Sequence, residues 1–154
     1  MRVLGVISGK GGVGKTTLVS NLSIALATRF RKTVTVIDTN ITTSHLGMYF
    51  GIYFPTVTLN DFLRGEVSIE QAIYSHYSGV NVIPASLKLS DLKGVNIDKI
   101  PSVIERIPRT DFVIVDSAPT FGREAKIVAK IVKEVLIISE PTMLSIVDAI
   151  RCKE

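Results

Sequence analysis

The chain has 154 residues, 46% hydrophobic and 21% charged, with 18 Lys+Arg against 14 Asp+Glu for a net charge of +4. This balance suits one globular domain over residues 1–154 that buries about 70% of its unfolded surface, and it argues against a disordered tail. The lone Cys152 excludes an internal disulfide and points to the cytoplasm, and no apolar run approaches the roughly 18–20 residues of a membrane span.

Met1-Arg2 leads directly into an apolar run, Val3 to Ile7, that is cut at Gly9 and Lys10, so a strand is expected here and not a signal peptide. Next comes Gly9-Lys10-Gly11-Gly12-Val13-Gly14-Lys15-Thr16-Thr17, which fits G-x-x-x-x-G-K-[ST] at every constrained position. An amphipathic stretch, Leu18 to Ala27, follows and predicts a helix over Thr16–Thr28. A strand, a glycine-rich loop and a helix in this order form a phosphate-binding loop. Its successive N–H groups and the positive end of the helix point at the anion. Lys15 is expected to reach the β- and γ-phosphates, and Thr16 to offer its hydroxyl to Mg²⁺.

Further strands are expected at Thr33–Ile37, Val80–Ile83, Phe112–Val115 and Val135–Ile138. Their near-continuous Val/Ile content suits strands covered on both faces. Helical spacing marks Ser68–Ser75, Asp98–Ile107, Arg123–Lys133 and Thr142–Ile150, with Ser68, Glu70 and Gln71 resembling a helix start. The alternation predicts an α/β fold, a doubly wound, mainly parallel sheet flanked by helices. The aromatic run Met48 to Phe54 is expected to serve packing, and the isolated His45 and His76 are read as ordinary surface or half-buried residues.

Ligands of open α/β sheets bind beyond the carboxyl ends of the strands. Asp38 closes the second strand and Asp116 closes the run Phe112 to Val115. A carboxylate there can cap the next helix or lie near Mg²⁺; two of them beside a phosphate loop favour the metal reading for Asp116.

Lys10 adds a second lysine inside the loop. This is the deviant form of the motif found in the MinD/ParA family of ATPases, and the chain resembles that family along nearly its whole length. The resemblance includes Val36-Ile37-Asp38-Thr39-Asn40, Leu59-Asn60-Asp61-Phe62-Leu63-Arg64-Gly65, Val82-Ile83-Pro84-Ala85-Ser86, Asp116-Ser117-Ala118-Pro119 and Ser139-Glu140-Pro141. The Gly122-Arg123-Glu124-Ala125 run and the Asp148-Ala149-Ile150-Arg151 ending look closest to archaeal-type MinD proteins.

The resemblance implies an ATP- and Mg²⁺-binding ATPase that works as an ATP-driven homodimer switch in cell division or spatial positioning, with a further protein partner. Lys10 would cross the two-fold interface to the partner subunit's nucleotide, in the manner of an arginine finger. The loop from Asp116 to Pro119 would sense the γ-phosphate. Two departures stand out. The family's second Asp, which helps place the attacking water, is here Asn40, so a non-hydrolysing nucleotide-binding module is an alternative. Family members also continue well beyond the position of Glu154. The chain is therefore expected to lack the residues that clasp the adenine and the C-terminal membrane helix. A ParA-type DNA-segregation ATPase is a third reading, although no dense basic stripe supports it.

Overall fold

The computed structural model describes residues 1–119 and 122–152. Its elements are β1 (Arg2–Ile7), α1 (Lys15–Arg29), β2 (Val34–Asp38), α2 (Leu46–Tyr49), α3 (Leu59–Arg64), β3 (Tyr74–Ser75), β4 (Val80–Ile83), α4 (Ile100–Arg106), β5 (Phe112–Asp116), α5 (Arg123–Ile131), β6 (Glu134–Ile137) and α6 (Met143–Arg151). The six strands form one sheet in the order β3-β4-β2-β5-β1-β6. All pairings are parallel except that of β3 with β4. The expected doubly wound α/β architecture is present, with its five long strands within a residue or two of their predicted ends.

Alternation along the strands divides the core in two. Val34, Val36 and Ile114 face α1 and α2 together with Val6, Val19, Leu46 and Phe50. Ile37, Val113 and Val115 face the opposite layer, where Leu59, Leu63, Ile100, Val103 and Val128 pack. Successive side chains of a strand point to opposite faces, so a run of Val and Ile feeds both layers at once. Gly5 in β1 lets α5 lie close: a Cβ there would stand 3.1 Å from both γ-carbons of Val132.

Three expectations need correction. The helix over Ser68–Ser75 is instead a 3-10 turn, Ile69–Ala72, followed by β3. Ser68 and Gln71 do form a capping box, but the turn ends at Ile73. The next residue pairs with β4, Tyr74 opposite Val82, and the Tyr74 hydroxyl accepts from the backbone N–H of Thr56 and Val57. The second correction concerns β6, predicted to be covered on both faces: its four residues are all exposed at the sheet edge beyond β1. The third limits the aromatic run, expected to serve core or interface packing, to Phe50 as far as this chain's own core is concerned. Phe50 is buried, while Met48, Tyr49, Tyr53 and Phe54 are exposed, since the single turn of α2 ends at Gly51 in a left-handed conformation and the chain then runs along the surface. No helix among the described residues is long and apolar enough to cross a membrane.

Candidate nucleotide site

The topology decides where the site lies. β5 is inserted between β1 and β2, so three strand ends meet: β1 running into the glycine loop, β5 ending at Asp116, and β2 ending at Asp38. Asp116 lies in register with Val6 on one side and Asp38 on the other. The loop leaving β5 is fastened to both neighbours. The Ser117 hydroxyl donates to the Val6 carbonyl at 2.8 Å, and the N–H and hydroxyl of Thr39 donate to the Asp116 carbonyl at 2.9 and 2.8 Å.

Gly14, at the N-cap of α1, is left-handed at φ 97°, and Gly12 at 78°, conformations that a side chain would strain. No side chain caps α1, and its first turn holds no acidic residue. The first backbone N–H groups of a 15-residue helix are therefore left for an anion, and the helix dipole adds to their pull. Lys15 is buried beneath the loop and donates to the Ser8 hydroxyl at 2.7 Å. Burial lowers its pKa, and the neighbouring Asp116 charge works against that shift. Lys10 points elsewhere. Its Nζ pairs with Glu140 at 2.8 Å on the surface.

The Thr16 hydroxyl donates to Asp116 Oδ2 at 2.6 Å. Asp116 Oδ1 is the one buried side-chain polar atom without a hydrogen-bond partner among the described residues. Burial pushes this carboxyl up to about 7, the Asp38 charge adds to the rise, and Thr16, Lys15 and His45 oppose it. Asp38 is also buried, and burial lifts it to about 6. Its two oxygens are well supplied with donors: Oδ1 accepts from the Asn40 N–H at 3.0 Å, and Oδ2 from the Ser44 hydroxyl at 2.7 Å and the Leu46 N–H at 3.2 Å. Two strand-end carboxylates at one register thus differ. Asp38 fastens the loop behind it, whereas Asp116 keeps an oxygen unsatisfied.

A cavity of about 410 Å³ opens between the glycine loop, the β2–α2 loop and the residues after β5. Gly11, Gly12, Gly14, Lys15, Thr16 and Thr17 line one wall, and Asn40, Thr43, His45 and Tyr49 the other. The size is that of a small-molecule site. Asn40, expected to face water, spends its amide on its own loop: Nδ2 donates to the Thr43 carbonyl at 2.8 Å, and Oδ1 accepts from the Thr43 hydroxyl at 3.0 Å. Gly9 and Val13 lie outside the cavity lining. Gly9 touches α6, where a Cβ would stand 2.5 Å from Asp148 Cβ. Three lining or supporting residues are not assigned to the site from the sequence: Ser8 carries no expectation, His45 is read as an ordinary surface or half-buried residue, and Tyr49 as part of the aromatic run. The one available signal for His45 was its place in the loop after a strand's carboxyl end.

Comparison with known proteins adds to this geometry. A family model described as an AAA domain matches residues 1–149. An uncharacterised ATP-binding protein of Methanocaldococcus jannaschii is 38% identical over 153 residues, 99% of this chain and 58% of the relative. The crystal structure of the cell division ATPase MinD of Pyrococcus furiosus superposes with a TM-score of 0.92 at 32% identity, covering 97% of this chain and 64% of that one. The chain belongs to the MinD/ParA family of P-loop ATPases. MinD of Pyrococcus horikoshii, solved with Mg-ADP, also superposes at 0.92, with 27% identity and coverage of 99% and 63%. The chain thus spans about three-fifths of the length of these MinD/ParA proteins.

Proposed function

We propose that this chain binds ATP with Mg²⁺ in the cavity at the N-terminus of α1, and that it works as a MinD-like ATPase whose nucleotide state controls homodimerisation in cell division or spatial positioning. The observation that carries the reading is the Thr16–Asp116 pair, which leaves one buried carboxylate oxygen unsatisfied beside an uncapped helix. A hydroxyl and a carboxylate are hard oxygen donors of the kind Mg²⁺ takes, and the ion leaves its other positions to water and phosphate. When bound, the ion supplies charge neutralisation for the polyphosphate.

The residues of the chain divide the remaining tasks. Backbone N–H groups from Gly11 to Thr17 grip the phosphates, each charge-assisted bond contributing about 1.5–3 kcal/mol. Lys15, held in place by Ser8, adds a fixed positive charge. Lys10 is the group free to serve a second subunit, because its pairing with Glu140 is solvent-exposed, and such pairs are worth only about 0–1 kcal/mol. The family membership and the Mg-ADP found in the Pyrococcus horikoshii structure support this reading.

A second reading is a nucleotide-binding module that does not hydrolyse. The observation favouring it is the engagement of the Asn40 amide within its own loop, which occupies its carbonyl oxygen and one of its two N–H donors, and an amide cannot take a proton from an attacking water. One experiment separates the two. Titrate the purified chain with ATP, ADP and GTP, with and without Mg²⁺, and follow phosphate release in the same samples. Mg²⁺-dependent binding with release above background supports the ATPase, and binding without release supports the module. Lys15→Ala is expected to abolish binding. If the unaltered chain binds no nucleotide, both readings fall.

A further inference from the structure

His45 is the polar side chain lining the cavity that the fold leaves unused. Each of its polar neighbours there already has a partner. Lys15 is bonded to Ser8, Thr16 to Asp116, Thr17 to Tyr49, Asn40 to Thr43, and Ser117 to the Val6 carbonyl. The imidazole of His45 is exposed, makes no side-chain hydrogen bond to any described residue, and lines the cavity together with the glycine loop.

Its backbone, by contrast, is tightly held. Ser44 before it donates to Asp38 at 2.7 Å and to the Ala85 carbonyl at 3.0 Å. Leu46 after it is fully buried, and its N–H donates to the same Asp38 carboxylate. The backbone that carries the ring is thus fixed on both sides, while the exposed ring itself keeps its N–H groups available to a ligand. Asp38, which holds both neighbours of His45, lies in register with Asp116 on the adjacent strand, so the segment carrying the ring sits at the same end of the sheet as the Thr16–Asp116 pair.

We infer that His45 is the side chain through which this protein contacts the terminal phosphate of a bound nucleoside triphosphate. The inference rests on the proposal that the cavity takes ATP, and it assigns to His45 a place that Asn40, engaged with Thr43, does not fill. The imidazole N–H donates to a phosphate oxygen that a diphosphate lacks, so His45 is a determinant of ATP over ADP. A lost charge-assisted hydrogen bond of this kind corresponds to at least about a tenfold change in affinity.

The test is calorimetric titration of the full chain in Mg²⁺ with ADP and with the β,γ-imido analogue of ATP, for the unaltered protein, His45→Ala and His45→Gln. His45→Ala is expected to weaken the analogue at least about tenfold while ADP affinity stays within about twofold. His45→Gln retains an N–H donor and is expected to recover most of the loss. Equal weakening of both nucleotides would reveal a merely structural role and overturn the inference. So would an unchanged affinity for the analogue, and in that case ATP binding by the unaltered chain would leave the functional proposal standing. Failure of the unaltered chain to bind either nucleotide would defeat both.

Discussion

Replacing Asp116 by Asn should stabilise the metal-free protein at alkaline pH and abolish the Mg²⁺-dependent nucleotide binding proposed above. Burial and the neighbouring Asp38 charge raise the Asp116 carboxyl from 3.8 to about 7. A group whose folded pKa lies above its unfolded value binds more protons in the folded state. Its contribution to stability is therefore complete below the unfolded pKa and is lost as pH rises through the folded one. Here the window runs from 3.8 to about 7. A shift of this size is worth about 4 kcal/mol at 1.36 kcal/mol per unit.

Asn carries no charge to bury and still offers an acceptor to the Thr16 hydroxyl. Its N–H₂ group, however, would replace the oxygen that has no partner, at a cost of about 1–3 kcal/mol. The balance at pH 8 favours the variant by about 1–3 kcal/mol, or a rise of roughly 3–8 °C in Tm for a chain of this size. At pH 4 the folded aspartate is neutral and the linkage cost has fallen below about 1 kcal/mol, so the variant should be the weaker one. Thermal melts in EDTA from pH 4 to 8 should show the difference climbing and changing sign. A difference independent of pH, or an Asn variant still the weaker at pH 8, would refute the electrostatic reasoning.

Gly9→Ala should destabilise by about 1–3 kcal/mol in urea melts, because its methyl must displace Asp148 and with it α6, whereas Gly11→Ala, with Pro119 Cβ at 3.6 Å, should be near neutral. Asn40→Asp loses the donor to the Thr43 carbonyl, which should cost about 0.5–1.5 kcal/mol in the same melts. It should also raise phosphate release by supplying a proton acceptor; release that stays at its former rate would show that this position does not limit turnover. Lys10→Ala should change stability by less than about 1 kcal/mol, since its ion pair is exposed. It should leave nucleotide binding intact, and light scattering should then detect no ATP-dependent dimerisation; equal loss of binding would assign Lys10 to its own subunit's site.

Much of the architecture was legible because the strands are runs of Val and Ile and the intervening helices are amphipathic. Strand order was not. Nothing local to residues 112–116 says that this strand slides between β1 and β2, yet that insertion brings Asp116 to a hydroxyl 100 residues earlier in the chain. The turn at Ser68 was legible from its capping residues, but its length was decided by the bonds of the Tyr74 hydroxyl to residues 56 and 57, a tertiary effect. The glycine loop was the most legible feature, since its residue types are dictated by backbone shape and phosphate approach. Loop 40–46 was the least. Which of the two lining residues, Asn40 and His45, keeps its side chain unbonded depends on how Thr43 and Ser44 distribute their hydrogen bonds.

The same accounting explains why Asp38 and Asp116, alike in sequence position, are not equivalent. A buried carboxylate can remain charged only where donors or a cation replace water. Asp38 has a hydroxyl and backbone N–H groups and is lifted to about 6; Asp116 has one hydroxyl and is lifted to about 7, partly by Asp38 itself. With the two neighbours in register at the ends of adjacent strands, ionising both near neutral pH with only Lys15 beside Asp116 works against the fold. A divalent ion that binds the folded state then stabilises it by more as its concentration rises above its Kd. The strain at Asp116 is thus the counterpart of affinity: donors sufficient to quiet both carboxylates would yield a more stable domain with less need of a metal.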